Sequence, residues 1–320
     1  MSVPIVDMAD YWSGSPQRVA REVGRAFEEH GFLTLVGHRV PMDLIQQTEQ
    51  VLRDFFVQSE DEKREVLSRP EQGKFCGYVP FAADSAARQT DADAPMDLRA
   101  RYRAVCSDAE SVRAYVGPNQ WPRYPAAFEK TLQSYAAAMK TLSDHVIRLC
   151  ANALHLGDDG LARHFDDDFS VTMAAYSPRE LSSPQPGQMR CGEHHDIGAL
   201  TFVSARAGRN GLQVVSDGKW QDVEFPPDAF AVNIGDLLAR WTNDVWVSTK
   251  HRVTMPQDMT KDRISLVYFN QPSLDVPIEV LPTCISSGQA AKYPPTTLRE
   301  HFHRQQNKGR RNYDEQEAKS

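Results

Sequence analysis

Nothing in this 320-residue chain approaches the run of about 20 apolar residues that a membrane-spanning helix needs. The opening Met1-Ser2-Val3-Pro4-Ile5-Val6-Asp7 lacks the basic stretch followed by an apolar one that marks a secretory signal. Cysteine is sparse and odd in number. Cys76, Cys106, Cys150, Cys191 and Cys284 are scattered, with no pair at metal-ligand or redox-motif spacing. Reduced thiols in a cytoplasmic protein are the expectation. Basic charge is also in deficit, with 36 Lys and Arg against 43 Asp and Glu, a net −7. A nucleic-acid binder would concentrate positive charge, so a small-molecule partner is expected, with neither nucleic acid nor membrane. No internal repeat and no long low-complexity segment is visible.

What is present is ordinary globular composition, 41% hydrophobic and 25% charged, in two unlike halves. Residues 17–30 carry Val19, Val23, Ala26 and Phe27 at helical spacing. A glycine-led apolar run, Gly31 to Val36, reads as a strand, and residues 41–68, opened by Pro41, read as helix again. Gly73 to Pro95 breaks up into Gly, Ala, Asp and Ser and reads as a loop region. Residues 125–155 place Phe128, Leu132, Tyr135, Met139, Leu142, Val146 and Leu149 on one stripe of a long helix. From about Phe169 the runs become short and β-branched, as in Leu200–Val203, Leu212–Val215, Phe230–Ile234 and Ile264–Phe269, a pattern of sandwich or barrel strands. Mixed α+β architecture follows. The tail from about Arg304 is polar and expected to be mobile at its end.

Chemistry concentrates in Gly192-Glu193-His194-His195-Asp196-Ile197-Gly198-Ala199-Leu200-Thr201. In extended chain, residues two apart share a face, so His194 and Asp196 project together and His195 projects away. His251, at the head of another β-like stretch, is the best third ligand. Two histidines and one carboxylate on one side of a metal, with open positions opposite, point to non-haem iron(II) oxygen chemistry. Arg263 and Ser265 share a strand face by the same alternation, and a guanidinium fork with a hydroxyl suits a carboxylate end group. His-x-Asp and Arg-x-Ser are each common by chance; their order and context along this chain carry the reading.

Taken jointly, these segments resemble the 2-oxoglutarate and iron(II)-dependent oxygenases of the isopenicillin N synthase-like family, from about Val3 to about Phe302. The likeness runs through Val3–Asp7, His30-Gly31-Phe32 with Val36-Gly37-His38, Phe55-Phe56 with Glu62-Lys63, and the His194–Thr201 motif. It continues through Gly211-Leu212-Gln213-Val214, Asn233-Ile234-Gly235-Asp236, and Trp241-Thr242-Asn243 with Ser248 and His251-Arg252-Val253. The resemblance implies a double-stranded β-helix, a jelly-roll core flanked by helices. It implies His194, Asp196 and His251 as iron ligands, Arg263 and Ser265 on the distal carboxylate of 2-oxoglutarate, and Tyr176 as a further donor to that co-substrate. Domain expectations are an N-terminal helix and strand region over 1–120, a connecting helix region over 121–168, the catalytic jelly roll over 169–275, and a C-terminal helix and tail over 276–320. The implied reaction consumes dioxygen, decarboxylates 2-oxoglutarate to succinate, and hydroxylates, desaturates or cyclises an unactivated C–H of a small molecule in secondary metabolism.

Departures from the family pattern fall at Gly37, Arg39, His195 and Thr172; the last puts the substrate pocket in doubt, not the metal site. Asp196 is retained, unlike in halogenase variants. Asp166-Asp167-Asp168 reads as a solvated turn, and His301 and His303, two apart in a helical segment, do not share a face. The loop Gln72–Tyr78 and the basic stretch Arg99, Arg101, Tyr102, Arg103 fall where relatives line their pockets, which suggests an acidic substrate. The C-terminal tail is a candidate lid. Three alternatives stay open: a same-fold oxidase that uses no 2-oxoglutarate, a non-catalytic binding barrel, and a zinc hydrolase. Oligomeric state is not encoded legibly.

Overall fold

The computed structural model describes residues 3–91, 93–179, 184–205, 208–255 and 262–305. The tail beyond residue 305, with its expected mobility and lid role, lies outside them.

Most of the helices lie in the first half of the chain. After the single turn α1 (Ala9–Trp12), α2 (Pro16–Glu29) begins on Pro16, whose fixed φ and missing N–H suit the first helical position, and it buries Val19, Ala20, Val23, Ala26 and Phe27. α3 (Met42–Phe56) buries Ile45, Val51, Leu52, Phe55 and Phe56. The continuous helix expected over 41–68 does not occur. The chain breaks after Phe56, and Ser59 starts the separate α4 (Glu60–Arg64) through a capping box with Glu62. After α5 (Glu110–Val116) comes α6 (Phe128–Ala153), 26 residues long, whose buried stripe is the one read from the sequence. It packs against α2 and α3 and against the back of the main sheet.

Twelve strands are described: β1 (Ile5–Asp7), β2 (Phe32–Val36), β3 (Gly77–Val79), β4 (Ala100–Val105), β5 (Val171–Ser177), β6 (Cys191–His194), β7 (Leu200–Ala205), β8 (Gly208–Ser216), β9 (Lys219–Phe225), β10 (Ala229–Ile234), β11 (His251–Val253) and β12 (Arg263–Asn270). A short helix, α7 (Asp236–Trp241), joins β10 to β11. The main sheet has the order β1-β2-β10-β7-β12-β5-β4-β3, and the minor sheet β6-β11-β8-β9. Among the described strands, the β1–β2 pairing is the one parallel pairing. The region 73–95, expected as loop, contributes β3 to the main sheet's edge against β4.

Alternation along β12 shows how the layers are made. Ile264, Leu266 and Tyr268 pack into the large core under the helices, while Arg263, Ser265, Val267 and Phe269 face a cavity between the sheets. A second, smaller core of Phe32, Leu212, Val214, Val223, Phe225 and Ala231 ties the sheets together. The result is the jelly roll flanked by helices.

The acidic run Asp166-Asp167-Asp168, expected as a solvated turn, is only partly one. Asp166 and Asp167 are exposed, but Asp168 is buried and bridges to Ser273. Its Oδ1 accepts the Ser170 N–H at 3.1 Å, and Lys140 Nζ lies 3.6 Å from Oδ2. Among the described residues no helix is long and apolar enough to cross a membrane.

Candidate active site

β6 ends on His194 and β11 begins on His251, and their antiparallel pairing sets the two opposite each other. Asp196 lies two residues past His194, in the loop entering β7. That loop is pinned through its backbone. The Asp236 N–H donates to the Asp196 carbonyl at 2.7 Å and the Gly235 N–H to the Ala199 carbonyl at 2.8 Å. Gln271 Oε1 accepts the Ala199 N–H at 3.0 Å, and His301 Nε2 donates to the Ile197 carbonyl at 3.0 Å. Gly235 has no room for a side chain: a Cβ there would lie 2.4 Å from the Gly198 carbonyl oxygen. Asp196 Oδ1 is thereby held 3.6 Å from His194 Nε2 and 3.9 Å from His251 Nε2. One donor atom from each of the three lies within 4.8 Å of the others.

Each imidazole is presented in the tautomer a metal requires. His194 Nδ1 contacts the Gly192 carbonyl at 2.8 Å, and His251 Nδ1 contacts the Thr249 carbonyl at 3.1 Å. A carbonyl can only accept, so each Nδ1 carries the proton and each Nε2 offers a lone pair. Burial, helped by His194 and opposed by Asp196, pulls the His251 pKa down to about 4. Burial pushes Asp196 up, but His251, His194 and hydrogen bonds from Asn233 and Thr201 outweigh it and keep the carboxylate ionised. Two neutral nitrogen donors and one anionic oxygen, gathered on one side, fit a divalent iron. His195 turns elsewhere, to Ser248 Oγ at 3.3 Å.

Two chambers meet at this triad. The inner one, about 90 Å³, is lined by His194, Asp196 and His251 together with Arg263, Ser265 and Arg190. The outer one, about 300 Å³, is lined by His194 and Asp196 together with Arg99, Arg101, Arg103, Phe75, Phe169, Phe269 and Phe302. So Arg263 and Ser265, expected from the sequence, do reach the triad's cavity.

Tyr176 does not, and this corrects the expectation for it. On β5 it is Ala175 and Ser177 that line the inner chamber, paired with Ser265 and Arg263 of β12. Alternation turns Tyr176 to the opposite face, where its ring stacks on Phe56 at 4.9 Å and 7°. Two residues were given no role by the sequence reading: Asn233, quoted there only as part of the Asn233–Asp236 motif, and Arg190. Asn233 Nδ2 donates to Asp196 Oδ2 at 2.8 Å. The signal was an amide in the otherwise apolar, wholly buried strand Ala229–Ile234, since a buried polar group demands a partner. Arg190 is 6% exposed and carried no signal beyond its position four residues before the first ligand. The histidines at 301 and 303 behave as read: His301 is buried on the Ile197 carbonyl and His303 is exposed.

The jelly roll with a buried His-x-Asp and distant His defines a non-haem iron oxygenase. Two sequence profiles match: the N-terminal region of non-haem dioxygenases in morphine synthesis over residues 3–124, and the 2OG-Fe(II) oxygenase superfamily over residues 154–272. The chain belongs to that superfamily and is a 2-oxoglutarate-dependent dioxygenase using Fe(II), 2-oxoglutarate and dioxygen. Curated relatives include homoarginine-6-hydroxylase 2-ODD-C23 of Glycine max, 29% identical over 88% of this chain and 89% of that protein. Flavonol synthase/flavanone 3-hydroxylase of Matthiola incana is 28% identical over 94% and 96%. Among solved structures, a 2OG-Fe(II) oxygenase family protein from Caulobacter crescentus superposes with TM-score 0.85 at 25% identity, covering 96% of this chain and 99% of the other. A full-length Neurospora crassa protein in complex with alpha-KG and thymine gives 0.84 at 26% identity, covering 95% and 96%.

Proposed function

We propose that this oxygenase hydroxylates, desaturates or cyclises an unactivated C–H bond of a small molecule in secondary metabolism. His194, Asp196 and His251 hold the iron, and Arg263 and Ser265 hold the distal carboxylate of 2-oxoglutarate. The observation that carries the reading is the junction of two chambers at the triad, the inner one ending in a guanidinium and a hydroxyl. When bound, the iron and the co-substrate supply the oxidising power: for hydroxylation, R–H, 2-oxoglutarate and dioxygen become R–OH, succinate and carbon dioxide.

The chain's own contribution is placement. Arg263 and Ser265 sit two residues apart on the cavity face of β12, so a carboxylate end group meets a fork of N–H donors and an O–H donor together. The Gly192 and Thr249 carbonyls turn the imidazoles, and Asn233 turns the carboxylate. Val203, Leu212, Phe225, Val267 and Phe269 wall the inner chamber and keep bulk water from the reacting groups. The wider relatives act on different substrates by their names, so the fold does not fix which carbon is oxidised.

The test is stoichiometry. Enzyme reconstituted with Fe(II) and offered 2-oxoglutarate with a pool of small molecules is expected to form one succinate per dioxygen consumed. Dioxygen consumption without succinate would instead support the same-fold oxidase that uses no 2-oxoglutarate.

A further inference from the structure

The outer chamber gathers three arginines in an acidic protein. Along β4, Arg101 and Arg103 alternate with Tyr102 and Ala104, which are buried. Residue alternation therefore turns Arg99, Arg101 and Arg103 to one face, and all three line the chamber. Cross-strand pairing sets Arg101 opposite Ala175 and Arg103 opposite Met173, and Ala175 is in turn opposite Ser265 of β12. With strands about 4.8 Å apart, the arginine row stands two strands from the proposed co-substrate anchor, on the same face of the same sheet.

The charges in this row are incompletely answered. Arg99 Nη2 meets Asp97 Oδ2 at 2.9 Å, and Arg101 pairs with Asp84. Arg103 is held by neutral groups: its Nε donates to the Phe75 carbonyl at 2.7 Å and its Nη2 to Ser68 Oγ at 3.0 Å. Its guanidinium lies 3.8 Å from the centroid of the Phe75 ring. The Nε atoms of Arg99 and Arg101 are buried with no hydrogen-bond partner. Burial pulls the Arg103 pKa down to about 10, and burial with neighbouring Arg103 pulls Arg101 down to about 9. Of the two, Arg103 is the one whose described partners are all neutral. Buried charges are paired in folded proteins or have a ligand to pair with. Four phenylalanines, Phe75, Phe169, Phe269 and Phe302, share the wall with Val171 and Met173 and with a polar edge of Asp84, Ser85, Gln89 and Gln271. Such a lining takes a flat apolar body on ring faces and edges.

Resting on the oxygenase reading, we infer that the outer chamber takes a small carboxylate with an aromatic or flat apolar body. Arg101 and Arg103 meet its carboxylate, the phenylalanines meet its body, and the carbon to be oxidised is turned toward His194 and Asp196. The Arg103 guanidinium lines the chamber and is already fixed on Phe75 and Ser68, so meeting such a group costs little further side-chain entropy.

A panel of aryl- and alkyl-carboxylates, each matched with its primary amide, tests the inference. It is offered to the anaerobic enzyme loaded with Fe(II) and 2-oxoglutarate. Binding is read from perturbation of the visible charge-transfer band of that complex, and independently from the melting-temperature shift of the metal-free chain. Aryl-carboxylates are expected to bind at least about tenfold tighter than their amides, the scale of one lost charge-assisted hydrogen bond. Arg101→Gln and Arg103→Gln are expected to erase that preference while the band with 2-oxoglutarate still forms, which also shows that the variants fold. Arg103→Lys is expected to keep part of it. Ligands that are neutral or cationic, carboxylates that bind both Gln variants undiminished, or a panel in which no carboxylate binds would each overturn the inference. A wild-type enzyme that forms no band would overturn the oxygenase reading instead, and the melting-temperature arm would still read carboxylate selectivity.

Discussion

His194 and His251 face each other across the β6–β11 pair with ring centroids 4.2 Å apart, and each ring is turned by the carbonyl two residues before it. One backbone device used twice, on adjacent strands, points both Nε2 atoms at one place. Among the described residues lining the inner chamber Asp196 is the one carboxylate, and those same two rings, with Asn233 and Thr201, hold its pKa low.

Replacing that charge is expected to be the most damaging single change at the site. Asp196→Ala leaves two neutral donors and should lower iron affinity and succinate formation by more than about 100-fold, beyond the range typical of changes outside the ligand set. Iron content after gel filtration and succinate release measure it. Undiminished turnover with added iron and 2-oxoglutarate would be incompatible with the proposed ligand set.

Asn233 holds the oxygen of Asp196 that is turned from the imidazoles. Asn233→Ala frees that carboxylate to rotate, and iron affinity is expected to fall by about 10–100-fold. Competition with a chelator measures the loss. Because the amide touches no co-substrate residue, the KM for 2-oxoglutarate measured at saturating iron should stay within about twofold.

Arg263 and Ser265 predict the reverse split. Removing a donor to a charged group costs about 1.5–3 kcal/mol, so Arg263→Gln should raise the KM for 2-oxoglutarate by about 10–100-fold. Ser265→Ala, losing about 1 kcal/mol, should raise it about fivefold. Iron affinity without co-substrate should be unchanged in both, and a change there of comparable size would mean the pair supports the metal rather than 2-oxoglutarate.

His38 gives a pH dependence away from the metal. It is buried, with Nδ1 accepting the Val40 N–H at 3.0 Å and Nε2 donating to the Asp228 carbonyl at 3.1 Å. Burial lowers its pKa, against the smaller pull of Asp228. A histidine with a depressed folded-state pKa costs nothing above its unfolded value of about 6.5. As pH falls below that value the unfolded chain takes up the proton first, so stability declines. His38→Asn keeps an acceptor for Val40 and removes the titration. Its melting temperature should start lower at pH 8 and fall less between about pH 7 and 5 than that of the parent. Parallel curves would show that His38 does not titrate with unfolding.

How much of this was legible beforehand depends on the range of the signal. The ligands could be read because the signal is local: Asp196 lies two residues past His194 in a short polar stretch before apolar β7, and His251 heads β11. The long stripe of α6 was equally plain, since a 3.6-residue period over 26 residues leaves little choice. The break between α3 and α4 was missed although its capping box, Ser59 and Glu62, is written in the sequence; the charged run from Glu60 to Glu65 is made of good helix formers and reads as a continuation. Asp168 was misjudged because a run of three acids looks the same whether the last one is solvated or folded under Ser273. The arginine row on β4 was noticed as a basic stretch, but its common face and its distance from the metal needed the sheet. Tyr176 was misplaced by one step, and in a strand one step exchanges inside for outside.

That displacement makes the last prediction a sharp one. The Tyr176 ring lies flat on Phe56 and its partner across β12 is Ile264, a residue of the helix-side core. A hydroxyl on that face has no path to the inner chamber, so Tyr176→Phe should leave the KM for 2-oxoglutarate within about twofold of the parent. Tyr176→Ala, which strips the stacked ring, should lower stability by about 1–3 kcal/mol, less than for a fully buried aromatic, again with the co-substrate KM little changed. Denaturant unfolding and initial-rate kinetics on the two variants separate the cases. A tenfold rise in KM for the Phe variant alone would mean that the tyrosine donates to 2-oxoglutarate after all, and that β5 is shifted by one residue from the register in which Ser265 faces Ala175.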